Sequence, residues 1–241
     1  MKPRIPDQDE SRRQFLLYLL GAGAIASLPG CASTPAPVQQ LMPVPEKMPA
    51  NRSIFQIMGD LKVNGSVATL DTPIRPGDLV ETGAASEAIF VVQEDAFLLR
   101  ADTRMLIPRQ MVGDRYDLQQ GKALSVFASR QMGISTPSAV ISIRGTGVYI
   151  EAEPVLSYVC LCYGAANLAT ASDPNINEDL VTEHHDAPKY ILSDRNAANR
   201  IQPAPFKNHS DQELLLIETL VGRSTPYVVP RGVRRSRSRY I

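Results

Sequence analysis

The 241-residue chain has no tryptophan, only three cysteines and only three histidines, and no net charge, with 25 basic and 25 acidic side chains. Three cysteines are too few for a disulfide-dense mini-protein. A zero charge balance argues against a strongly basic nucleic-acid binder. No apolar run reaches the roughly 20 residues that an ordinary membrane-spanning helix needs. Apolar residues at 44% and charged residues at 21% are ordinary for a globular protein and speak against long disorder. The length allows one large domain or two small ones, with ample core.

Residues 1–30 read as an address. A polar stretch ends in Ser11-Arg12-Arg13-Gln14-Phe15-Leu16, and an apolar run follows from Leu16 to Leu28. That run suits the core of a signal peptide. Arg12 and Arg13 with Phe15 and Leu16 resemble the signal read by the twin-arginine export system, which carries folded proteins. A Sec-type signal is the alternative. Leu28-Pro29-Gly30-Cys31 resembles a bacterial lipobox, in which the cysteine becomes the lipidated N-terminus. Pro29 departs from the usual small residue, and Ala24-Ile25-Ala26 offers a competing cleavage site. The expectation is lipidation of Cys31 and a periplasmic protein anchored to the outer membrane. Residues 31–52 carry Pro35, Pro37, Pro43, Pro45 and Pro49 and read as an extended tether.

Residues 53–168 read as many short strands. Apolar runs such as Ile54–Met58, Ala88–Val92 and Ala139–Ile143 alternate with turn signals. Among these are Asn64-Gly65, Pro76-Gly77-Asp78 and Gln120-Gly121. Asn-Gly supplies the positive φ of a tight hairpin turn. Turn signals every 8–12 residues or so predict an all-β fold, a multi-stranded sandwich or a β-solenoid-like stack.

Three blocks in this region resemble the FecR domain. They are Pro76-Gly77-Asp78-Leu79-Val80-Glu81-Thr82-Gly83, then Leu118-Gln119-Gln120-Gly121-Lys122-Ala123 as its central turn, then Thr136-Pro137-Ser138-Ala139 with Ile143-Arg144-Gly145-Thr146. The resemblance implies a FecR-type β domain outside the cytoplasm. It does not imply direct sigma-factor control, because the sequence leaves no room for a cytoplasmic segment before the export signal.

The remaining cysteines and every histidine fall within fifty residues: Cys160, Cys162, His184, His185 and His209. Cys160 and Cys162 sit two apart on the last predicted strand, so both thiols face one way. A disulfide between them would have poor geometry. Two thiolates and two imidazoles make a ligand set for zinc or another transition metal, although the spacing matches no standard zinc module. Two other readings stay open. The cysteines can be small buried hydrophobes and the histidines surface residues. Alternatively, a nucleophilic cysteine can have His185 as base and Asp186 as its orienter.

Residues 169–222 read as an extension with His-containing loops and a helix over 210–221, introduced by the capping box Ser210-Asp211-Gln212-Glu213. Residues 223–241 end in five arginines between Arg231 and Arg239, a flexible basic tail. Residues 1–30 hold four basic and three acidic groups, which leaves 16 basic against 22 acidic in residues 31–230. The chain is thus a mildly acidic body with a basic tail. Its expected partners are the membrane, through the lipid on Cys31, and an envelope protein or anionic envelope polymer; nucleic acid is not expected. The sequence predicts an envelope binding or scaffold module, with a signalling component or a small thiol or metal enzyme as alternatives.

Overall fold

A computed structural model describes residues 47–110 and 113–227. The export signal, Arg12, Arg13, Cys31 and the arginine tail lie outside these residues. Among the described residues the fold is all-β with one short C-terminal helix. Fourteen strands form one hydrogen-bonded sheet that is not closed. In chain order they are β1 (Ile54–Met58), β2 (Leu61–Val63), β3 (Ser66–Val67), β4 (Leu79–Thr82), β5 (Glu87–Val92), β6 (Asp95–Leu99) and β7 (Arg104–Leu106). There follow β8 (Arg115–Val126), β9 (Gln131–Ser135), β10 (Ala139–Ala152), β11 (Leu156–Thr170), β12 (Asp173–Thr182), β13 (Lys189–Leu192) and β14 (Ile201–Pro203). The helix α1 spans Asp211–Leu220.

Alternation along the strands sends side chains to two apolar clusters. Phe90, Phe97, Ile150, Val159 and Leu161 join the larger one. Their neighbours Ile89, Leu98, Tyr149, Tyr158, Cys160 and Cys162 join the other, together with Leu214, Ile217 and Leu220 of α1. The helix therefore covers one face of the sheet with an apolar stripe at helical spacing.

Asn64 and Gly65 join β2 to β3 with φ of 52° and 80°, the two positive values of a tight hairpin turn. The stretch around Gly121 differs from expectation. It is a bend inside β8 and not a turn between strands. Residues 117–120 pair with β7, and residues 121–126 pair with β10. Gly121 has φ +93°, and a Cβ there would lie 2.4 Å from the Thr103 Cα, so only glycine fits. The strands expected separately at Ala139–Ile143 and Val148–Glu151 are likewise one, β10, interrupted by a register shift between Arg144 and Gly147. Arg144 is exposed on that strand.

β11 builds the site. It runs through residue 168 to Thr170 and pairs with β10 from Ser157 to Thr170, with a register shift around Tyr163. On its other edge it has two successive partners: β13 opposite residues 156–159 and β12 opposite residues 164–170. Residues 160–163 fall in the gap between them. The loop that joins β12 to β13 crosses that gap, and the His185 amide donates to the Cys162 carbonyl at 3.1 Å. Among the described residues no helix is long and apolar enough to cross a membrane.

Candidate metal centre

The gap in the β11 pairing explains why a histidine loop lies over two cysteines. Cys160 and Cys162 share one face of β11, as residues two apart on a strand must. Both are buried free thiols. His185 sits above them with φ of +55°, a left-handed backbone that costs a non-glycine residue about 1–3 kcal/mol and persists only when its surroundings hold it. Asp186, read from the sequence as an orienter, instead closes this loop. Its carboxylate accepts the Glu183 and His184 amides at 2.9 and 3.1 Å.

His209 arrives from the other side. It precedes Ser210, the N-cap of α1, whose capping box with Glu213 fixes the start of the helix. Arg100 braces the same corner, donating to Glu213 at 2.7 Å and to the Asn208 carbonyl at 3.0 Å. Glu151 at the end of β10 accepts from Asn208 at 2.5 Å and pairs with Lys207 at 2.8 Å. The His209 ring stacks on Tyr149 with centroids 4.5 Å apart.

These elements converge. The Cys160 Sγ lies 3.5 Å from His185 Nδ1, and His209 Nε2 lies 3.1 Å from the same nitrogen. The three ligand atoms lie within 4.8 Å of one another. A tetrahedral zinc ion with bonds of about 2.3 Å to sulfur and about 2.05 Å to nitrogen would space its ligands about 3.5 Å (S···N) and about 3.3 Å (N···N) apart. The spacings to His185 fall close to those values. Cys162 is in neither converging group; its thiol donates to the Cys160 carbonyl at 3.8 Å.

The far nitrogens of both rings are held as well. His209 Nδ1 lies 2.8 Å from the Lys207 carbonyl. A carbonyl only accepts, so Nδ1 carries a proton, and Nε2 is the nitrogen turned toward the cluster. His185 Nε2 donates to Asp211 Oδ1 at 3.0 Å. Metal-ligating histidines are almost always anchored this way, by a backbone carbonyl or a carboxylate. Tyr227 adds a contact at the same nitrogen, with its hydroxyl 3.3 Å from His185 Nε2 and 3.2 Å from Asp211 Oδ1.

The electrostatics fit an anionic sulfur beside a charged ring. The Cys160 thiol is pulled below its ordinary value, first by the Cys162 thiol and then, against burial, by His185 and His209. Complete burial and the neighbouring Cys160 push Cys162 up. Burial works against charge on His185, but Cys160 and Asp211 outweigh it and raise its pKa. Asp211 is lowered despite its burial by His184 and His185. The Tyr158 hydroxyl is buried, and burial followed by the Cys160 sulfur raises its pKa.

His184 lies outside this inner group. It is half exposed, and its Nε2 meets the Asp211 carboxylate at 3.0 and 3.1 Å. His184, His185 and Asp211 form a second convergent set. It borders an open cleft of about 380 Å³ lined also by Phe206, His209 and Ser210. Four of the five residues singled out from the sequence thus fall into two adjoining sets, and Cys162 lies beside Cys160 outside both. Asp211 and Tyr227 were missed. Asp211 was visible only as an acid in the first turn of a helix, and Tyr227 gave no signal.

No family model and no curated protein matches the chain. Two crystal structures, at 2.50 and 1.65 Å resolution, of a Parabacteroides distasonis protein proposed to be an anti-sigma factor are similar to it at 14% identity, with TM-scores of 0.43 and 0.44. The similarity covers 56% of this chain and 62% of theirs, so the chain spans less than two thirds of that protein.

Proposed function

We propose that this protein is an exported, lipid-anchored β module of the cell envelope that binds a transition metal, zinc foremost, through Cys160, His185 and His209. The observation that carries the reading is the convergence of one sulfur and two ring nitrogens whose outer nitrogens are already anchored. One thiolate and two imidazoles form a borderline-soft set suited to zinc, with a fourth position left for water or another ligand. The export reading rests on Arg12-Arg13 and Cys31. A twin-arginine route would let the ion be loaded before export. At the far end, the five arginines would meet anionic headgroups or envelope polymers.

The test is metal analysis of untagged protein purified without chelator. The reading expects about one zinc per chain in the wild type, lost in Cys160→Ser and in His209→Ala and kept in Cys162→Ser. Metal-free wild type that also fails to take up added zinc would overturn it.

One observation favours a second reading. Cys160, His185 and Asp211 stand in line as nucleophile, base and orienter, at 3.5 and 3.0 Å. Reactive cysteines are partly exposed, however, and Cys160 is fully buried. A buried sulfur suits a metal ligand better than a nucleophile that must meet a substrate. The metal reading is therefore preferred.

A further inference from the structure

We propose that His185 bridges two metal ions, the inner one held with Cys160 and His209 and an outer one held with His184 and Asp211. This rests on the inner site of the proposed function and adds a second site to it.

Each nitrogen of the His185 ring faces a separate ligand set. Nδ1 faces Cys160 Sγ and His209 Nε2, at 3.5 and 3.1 Å. Nε2 faces Asp211 Oδ1 at 3.0 Å, and the same carboxylate is 3.0 Å from His184 Nε2. The three outer ligand atoms lie within 4.8 Å of one another. Two imidazoles and a carboxylate are a zinc or copper(II) ligand set. The cleft over His184, His185 and Asp211 is open, so water can complete the outer coordination.

The proton and charge balance is closed. With only the inner ion bound, Nε2 keeps its proton and donates it to Asp211. A cation on Nδ1 makes that proton more acidic, and the outer ion replaces it. The proton leaves to solvent, and His185 becomes an imidazolate shared by both ions. Asp211 changes from a hydrogen-bond acceptor into a ligand. Two dications then meet three anionic ligands: the Cys160 thiolate, the imidazolate and the Asp211 carboxylate. Cys160 and His209 are buried and the inner ligands are braced, whereas His184 is half exposed, so the inner site fills first.

The experiment is titration of untagged, metal-stripped full chain with Zn²⁺ and, in parallel, with Co²⁺. The expected result is two ions per chain in two steps. The first Co²⁺ brings the near-ultraviolet band of a cobalt–thiolate bond, and the second weakens the electron paramagnetic resonance of the first through the shared ring. His184→Ala and His184→Leu, at an exposed position, should each reduce the count to one while the thiolate band stays. A wild type that binds one Co²⁺ with the band intact overturns the bridge and leaves the inner site standing. Two ions in both variants also overturns it. Binding of no ion at all overturns the inner site and the bridge together.

Discussion

At the residue scale, the two thiols differ although they stand two apart on one strand. Cys160 faces two imidazoles, whereas Cys162 packs beneath α1, with its thiol against the carbonyl and the sulfur of Cys160. Both are fully buried. A buried thiol reacts only when the structure opens, whatever its charge. Native, metal-free protein is therefore expected to resist a thiol reagent such as dithiobis(nitrobenzoate), and to titrate both groups after denaturation. Rapid modification of one thiol in the folded protein would favour the nucleophile over the metal ligand. Asp211 shows the limit of reading residues singly. The sequence places Asp186 beside the histidine pair, and proximity along the chain made it the natural orienter. The loop instead turns Asp186 back onto its own amides, and a first-turn acid of a helix 26 residues beyond His185 takes the role.

At the element scale, the site depends on how a loop before a helix is tied to the sheet. Glu151 is the tie. Burial disfavours its charge, but hydrogen bonds from Asn208, Lys207 and Tyr149 outweigh burial and hold its pKa below 4.5. A carboxylate depressed in the folded state adds stability above its unfolded pKa and loses it as pH falls through the folded value. Glu151→Gln should cost about 1.5–3 kcal/mol at neutral pH, the range for hydrogen bonds to a charged group. The gap in melting temperature between wild type and variant should shrink as the pH drops below about 4.5 toward 3, once both are neutral at this position. A gap that stays constant from pH 7 to pH 3 would show that Glu151 is not the acid-sensitive tie. The capping box was legible in the sequence, because a hydroxyl and a glutamate three residues apart mark a helix start. The tie was not, since it joins residues 57 apart.

At the scale of the whole molecule, the sequence made the β class plain, and for physical reasons. Alternation of apolar and polar residues, with glycines at turns, marks strands locally. The pairing order is another matter. Nothing local says that β8 and β10 bend and continue past a glycine, or that β12 and β13 share one edge of β11 and leave a four-residue gap. That gap is the reason the histidines meet the cysteines. It also ties residues beyond 168 to the sheet. A chain ending at Leu168 would lose α1, β12, β13 and β14, and would expose Tyr149, Tyr158 and Cys160. Such a fragment is expected to show no cooperative thermal transition by circular dichroism, whereas a chain of residues 47–227 melts cooperatively. A fragment that melts like the longer chain would show that the first eleven strands fold alone.

The central claim is that one sulfur and two ring nitrogens hold a metal ion, and X-ray absorption at the zinc edge reads that directly. Protein loaded with one equivalent of Zn²⁺ should show one sulfur neighbour at about 2.3 Å and three nitrogen or oxygen neighbours at about 2.0–2.1 Å, with the multiple scattering of imidazole. Cys160→Ser should remove the sulfur shell, and Cys162→Ser should leave it. A zinc environment of nitrogen and oxygen alone in the wild type would contradict the account.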